Sequence, residues 1–434
     1  VTLKGRHLAL ATLVAGVLSA APSAARADVP LVESDRHSFT LGGYLRTLSA
    51  AQRWDATGLP DVLGGPSVTG VNAGVGRLEW TASLGDHVIL DLHQRLSWRV
   101  EGASPLSGGS PFGVGVTRVP NGNVSMRTVL LDVPGTSADH DIDRASIRLH
   151  AGSVDIVLGR QAMAWGSSLI FPVADIWTRL SPWDLDNVER RGVDGARVIW
   201  APSFATEVEF VVVDRGHARD IGAGVRATVY GARSDVFVAA AKNYDTLLAG
   251  GGWVRDLGRV SLRGEVLLPI DLSDAPLAPG EGVDTAAWEG PVRVEPPRAT
   301  VGVEHYTGDW VIMAEAHFNG AGEGDAERYA AHALTSEELA RGEVYLMGRT
   351  YVGSTVMHAP TPVVSWSLGA IMNVEDPSAL LTPSFNWGVA QDVDVNLGAF
   401  IPVGAGLRSA LPPEIGSEFG IAPLMVYAQI AAYY

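Results

Sequence analysis

The chain has 434 residues, no cysteine and a formal net charge of −16. Without cysteine, neither disulfides nor thiolate metal sites can hold a fold. The acidic balance argues against nucleic acid as a partner.

The first residues carry Lys4, Arg6 and His7, then an uncharged apolar run over 8–21, then Ala25-Arg26-Ala27. That order predicts a secretory signal over residues 1–27, cleaved after Ala27, with Val1 read from an alternative start codon. The apolar run is short for a membrane helix, which needs about 20 residues. No later window is apolar over that length either. Residues 28–434 contain no linker, charge block or repeat that would divide them, which predicts one domain.

Beyond the signal the pattern is alternation. In 87–101 the even positions Val88, Leu90, Leu92, Leu96, Trp98 and Val100 are apolar, and the odd positions His87, Asp91, His93, Arg95, Arg99 and Glu101 are polar. One face suits lipid and the other water, at period two. The preceding segment sets Leu78, Trp80 and Leu84 against Arg77, Glu79 and Thr81; 143–151 sets Ala145, Ile147 and Leu149 against Arg144, Ser146, Arg148 and His150. Read this way the chain holds about eighteen strands (sixteen to eighteen). They are 38–53, 72–85, 86–101, 141–152, 153–161, 192–200, 203–213, 219–230, 233–243, 247–256, 258–270, 298–306, 309–319, 345–357, 362–374, 377–388, 391–402 and 418–434. Alternation is poorest in 233–243 and 247–256.

Every second connection between these strands is tight. The intervening ones include the long segments 54–71, 102–140, 162–191, 271–297, 320–344 and 403–417, and no long one falls in the wrong register. Short turns on one side and long loops on the other predict an all-β fold: a transmembrane antiparallel barrel with short periplasmic turns and long extracellular loops. Closure leaves no open edge in lipid. A soluble sandwich or propeller does not explain the sorting of the connections. The terminal Tyr433-Tyr434 is similar to the aromatic assembly signal of such barrels.

Residues 162–191 are too apolar for an ordinary solvated connection. They carry Trp165, Phe171, Trp177 and Trp183, together with Asp175, Arg179, Asp184, Asp186, Glu189, Arg190 and Arg191. A long segment of this kind is usually functional. It is expected to fold into the barrel mouth as a constriction or plug, aromatics on the wall and charges facing water. LGRQAMAWG over 158–166, followed by Pro172, Asp175, Ser181-Pro182 and Arg190-Arg191-Gly192-Val193-Asp194, resembles Gram-negative outer-membrane porin-like barrels with a GRQ triplet, a WG step and a later RRG turn. Alginate-export-type channels share the layout. The resemblance implies an outer-membrane channel of a Gram-negative bacterium but covers under a tenth of the chain, and no substrate follows from it.

For a pore, chemistry means charge selection in a narrow lumen. Arg77, Arg95, Arg99, Arg144, Arg148 and Arg197 would form a basic wall. Glu207, Glu209, Glu304, Glu315, Asp392 and Asp394 would form an acidic one, with the loop charges between them. The bland alternative is that these charges pair off. Arg160 has outward parity, so it is expected at the outer rim or turned inward to bond the loop's acids, anchoring the loop with Trp165, Trp177 and Trp183. No G-x-S-x-G or H-E-x-x-H occurs, so no catalytic role is assigned. Asp139, Asp141 and Asp143 read as a solvated loop end rather than a Ca²⁺ site. Thr335 to Glu338 is a capping-box pattern that predicts a short helix to Arg341.

The sequence therefore predicts a cofactor-free channel for small hydrophilic solutes, selected by size and lumen charge, in contact with outer-membrane lipid. A homotrimer and a monomer are both open. The alternative is a non-conducting barrel with a structural, adhesion or polysaccharide-export or binding role.

Overall fold

The computed structural model describes residues 28–34, 36–63, 65–103, 124–178, 189–272, 293–410 and 413–434. The expected signal, 1–27, lies outside them. Among the described residues eighteen antiparallel strands close into a barrel. They run β1 His37–Arg53, β2 Val68–Leu84, β3 Val88–Glu101, β4 Thr136–Ala151, β5 Val154–Gln161 and β6 Val193–Ser203. Then come β7 Thr206–Val213, β8 Gly222–Tyr230, β9 Ser234–Asn243, β10 Thr246–Asp256, β11 Val260–Asp271 and β12 Arg298–Thr307. The last six are β13 Trp310–Asn319, β14 Thr350–Thr361, β15 Val364–Asn373, β16 Ser378–Ala390, β17 Val393–Val403 and β18 Leu424–Tyr433.

Alternation puts apolar side chains outside. On β3, Leu90, Leu92 and Leu96 are exposed while Arg95 and Ser97 are buried inside. Phe210, Val238, Val266, Val301 and Leu368 continue this exposed apolar exterior round the wall. In water so much contiguous apolar surface would aggregate; against hydrocarbon it is the favoured face. No helix among the described residues is long and apolar enough to cross a membrane.

All eighteen expected strands are present, with shifted ends. The poor alternation of β9 and β10 has a physical cause. Phe237, Ala241 and Leu248 on their inner faces are covered by an internal loop, so both faces are apolar and the period-two signal fades. The segment expected as strand from 345 begins only at Thr350, because Leu346 and Met347 pack instead in loop clusters. Likewise 418–421 forms a short turn of helix, Phe419–Ile421, before β18.

The expected loop 102–140 is partly sheet: β4 starts at Thr136 and is extended by an added strand, Arg127–Val133. Another, Asp28–Glu33, pairs with the start of β1. A small hairpin, Leu407–Ala410 with Pro413–Ile415, stands in the loop after β17. The predicted helix is displaced as well. Two short helices, α1 Tyr329–Thr335 and α2 Glu337–Ala340, meet at Ser336. Ser336 rather than Thr335 caps the second, accepting from the Leu339 N–H at 3.2 Å.

The turns at one end, such as 152–153 and 308–309, hold two or three residues each, whereas the other end carries 54–67, 102–135, 162–192, 272–297, 320–349 and 404–423.

Closure is made by β1 against β18, with Tyr44 opposite Tyr433 and Arg53 opposite Leu424. Below that ladder Tyr434 crosses β1 and donates its hydroxyl to the Arg77 carbonyl at 2.7 Å. Gly43 lies directly beneath: a Cβ there would sit 2.1 Å from the Arg77 oxygen and 2.9 Å from the Tyr434 hydroxyl. Replacing Gly43 with Val should therefore block seating of the last residue. The expected result is loss of the compact, heat-modifiable species on unboiled gels, while Gly70→Val, in open space, keeps it.

Candidate functional site

Residues 162–178 enter the barrel without helix or strand, so their backbone N–H groups need partners from the wall. Two carboxylates supply them. Glu265 on β11 accepts from the N–H groups of Ser167, Ser168 (2.6 Å) and Ala174 (3.0 Å), and from the Ser167 hydroxyl at 2.8 Å. Glu315 on β13 accepts from Leu169 N at 2.7 Å and from Ile170 N and Phe171 N at 2.9 Å each. The loop carbonyls are held too: Arg263 donates to Ser167 O and Thr300 to Phe171 O, both at 2.8 Å.

Aromatic packing completes the docking. Trp165 and Trp177 meet edge to face at 5.1 Å and bury against Val211, Val213, Phe237 and Leu248. The wall is cut back to receive them, since a Cβ at Gly224 would lie 2.8 Å from the Trp165 ring and one at Gly222 2.8 Å from Trp177. Phe171 stacks on His317 at 4.9 Å.

The loop's charges differ from expectation. Asp175 does not face water: it is fully buried. Its carboxylate accepts from Trp165 N at 2.8 Å and Gly166 N at 2.6 Å, and pairs with Arg190 at 2.6 Å. Arg190 also donates to the Thr178 carbonyl at 2.8 Å, so Arg190 ties the two ends of the loop together. Arg160 serves elsewhere. At the end of β5 it takes both oxygens of Asp194, at 2.7 and 2.8 Å, and donates to the carbonyls of Ile142 and Val124. Its bonds lock three adjacent strands, and none of them reaches an acid of the described loop. Arg179, Trp183, Asp184 and Asp186 lie outside the described residues.

The two expected walls of opposite sign interleave instead. Arg77 bonds Asp143 at 2.8 Å and Glu79 at 2.5 Å. Arg144 lies 3.7 Å from Asp143 and 3.8 Å from Glu189. Arg99 pairs with Glu101 at 2.5 Å and Arg197 with Glu209 at 2.7 Å. Glu304 is taken by Arg263 and Glu315 by the loop. The reason is cost: a buried charge without a partner is strongly destabilising. Arg95 is buried on the inner face, Arg148 is exposed, Arg191 stands partly buried beside Arg190, and Glu207, Asp392 and Asp394 sit near the short-turn end.

The acidic patch read as a loop end is part of β4: Asp139 pairs with Arg127 at 3.3 Å and Asp141 lies 3.6 Å from Arg160. Sequence reasoning passed over Glu265, Arg263 and Thr300. Their inward parity was readable; their backbone partners were not.

Over the same mouth the loops 320–349 and 404–423 pack together, with Tyr329, Ala330, Met347 and Ile415 in contact. At their junction Glu418 is buried and accepts from Met347 N at 2.8 Å, the Tyr351 hydroxyl at 2.5 Å and Asn373 Nδ2 at 2.8 Å. Asp376 takes the Glu418 N–H at 2.5 Å. Burial pushes the Glu418 carboxyl up to about 7, because no cation among the described residues pairs with it.

No family model matches the chain, and no curated protein sequence matches it. Solved structures do match in fold. OccAB4 of Acinetobacter baumannii superposes with a TM-score of 0.53 at 6% identity, over 93% of this chain and 98% of that one. A BenF-like porin from Pseudomonas fluorescens Pf-5 gives 0.55 at 7% identity, over 91% and 98%. Pseudomonas aeruginosa OpdK, solved with vanillate, gives 0.52 at 10% identity, over 91% and 98%. The shared feature is the porin barrel fold.

Two outcomes follow from this geometry. Hydrogen bonds to a charged acceptor are each worth about 1.5–3 kcal/mol, so Glu315→Ala should undock the loop. In planar bilayers that appears as larger and noisier single-channel conductance, and unchanged traces would remove Glu315 from the docking. For Glu418 the folded value lies above the usual carboxylate value, so the packed loops are stabilised in acid and that stabilisation is lost as pH rises through about 7. Proteolysis of the loop junction should accelerate between pH 6 and 8 (about one unit either side) in the native protein and be pH-independent in Glu418→Gln.

Proposed function

We propose that the chain is an outer-membrane channel of a Gram-negative bacterium, passing small hydrophilic solutes selected by size and by lumen charge. The observation that carries this reading is the docking of 162–178 inside the barrel by Glu265 and Glu315. A loop fixed to one side of the wall narrows the lumen without filling it and leaves passage along the opposite sector. That sector, β1 to β5, carries Arg46, Arg77, Arg95, Arg99, Arg144 and Arg148. These guanidinium groups, set among Glu79, Asp91, Glu101 and Asp143 on the same strands, offer anionic solutes a path of donors. Vanillate, named with the OpdK structure, is an aromatic carboxylate and has that charge. The described interior offers ion pairs, apolar packing and a docked loop, an arrangement suited to transport.

Permeation is then passive and needs no cofactor. Oligomeric state does not enter the mechanism, because each barrel holds its own constriction. The test is electrical. Replacing Arg95, Arg99 and Arg148 with Ala should shift the reversal potential under a salt gradient toward cations, with the largest effect at low salt, where screening is weakest. Liposome swelling should show the same order, anionic sugars slowed more than neutral ones. A native barrel that gives no conductance would instead favour a non-conducting role.

A further inference from the structure

Behind the tip of the docked loop is a cavity of about 50 Å³ whose apolar lining includes Phe171, Val344 and Leu346 and whose polar lining is Arg298, Asn319, His317 and Tyr345. Arg298 opens β12 and Asn319 closes β13, and the two face each other across the sheet. Arg298 is 3% exposed and Asn319 1%. The Arg298 Nε has no acceptor and the Asn319 Oδ1 no donor. The amide orientation of Asn319 is settled by its other atom, which donates to the Leu346 and Gly348 carbonyls at 3.2 Å each. Among the described residues no carboxylate stands within ion-pair distance of Arg298, whereas the buried Arg77, Arg160 and Arg263 each have one.

A buried guanidinium without a counter-charge is costly, and so is an orphaned carbonyl oxygen beside it. Water answers the second need and not the first. The cavity's size sets a limit too: at roughly 10–15 Å³ per water it holds a species of only a few heavy atoms. An aromatic acid does not fit.

We propose that this cavity binds a compact oxyanion that also bears a hydrogen-bond donor, of the kind represented by hydrogencarbonate or hydrogen phosphate. Its anionic oxygens face Arg298 and its hydroxyl donates to Asn319. The occupant is distinct from the solutes that pass through the lumen. Because Phe171 and Leu346 come from different loops, occupancy clamps the constriction loop and the loop 320–349 to one stretch of wall.

Hydrogencarbonate and nitrate separate the two requirements, since both are planar monoanions and only the first has a donor. Thermal unfolding of the detergent-solubilised barrel at constant ionic strength should rise saturably with hydrogencarbonate, with half-saturation at least tenfold below that of nitrate, while chloride follows ionic strength alone. The shift should vanish in Arg298→Met. If that variant does not fold, Val344→Phe, which fills the cavity and keeps the arginine, decides the matter by losing the same shift. Identical responses to the three salts, or a saturable shift that survives in Arg298→Met or in Val344→Phe, would overturn the assignment.

Discussion

The structure depends on how an irregular stretch of backbone can exist inside a barrel. Residues 162–178 have no ladder or helix to absorb their N–H groups, and each one left bare in a dry interior costs about as much as a lost hydrogen bond. Glu265 and Glu315 resolve this together. Each carboxylate presents several lone-pair directions, so two side chains hold six backbone N–H groups of the loop. No neutral residue can accept so many donors from one position. Glu315, which looked like an element of a pore's electric field, is therefore spent as an acceptor.

The same economy of charge governs the rest of the lumen. Cations and acids alternate across neighbouring strands, as in Arg77 with Asp143 and Arg197 with Glu209. Segregating them into facing walls would have left each buried member without a partner at short range. Interleaving keeps the interior polar while removing most isolated buried charges. On the proposed reading, selection falls to the guanidinium groups of β1 to β5 rather than to a field across the pore.

Strand number, direction and facing were legible because a bilayer imposes one rule on every residue of the wall, and the period-two pattern records it. Leu90, Leu92 and Leu96 could be placed outside from spacing alone. Legibility failed where a second rule was superimposed. On β9 and β10 the inner face is apolar because Trp165 and Trp177 cover it, and no local pattern announces a cover that comes from about seventy residues away. Glu315 was placed on the inner face correctly, yet its partners are main-chain atoms, which look the same at every position of a sequence. Asp175 fails for a related reason: a capping carboxylate and a solvated one are the same letter, and only the fold of the loop around Trp165 and Gly166 separates them. The resemblance built on the GRQ, WG and RRG steps fell on the loop's two anchored ends, where Gln161 leaves β5 and Arg190 returns to Asp175.

The join between β1 and β18 has a consequence for biogenesis. Those two strands are the first and last of the described barrel, and Tyr434 is itself a member of the seam through Arg77 and Gly43. Until that residue arrives, β1 has no neighbour along most of one edge, and a sheet with a bare edge cannot reside in hydrocarbon. Closure is thus an all-or-nothing event that waits on the seating of Tyr434.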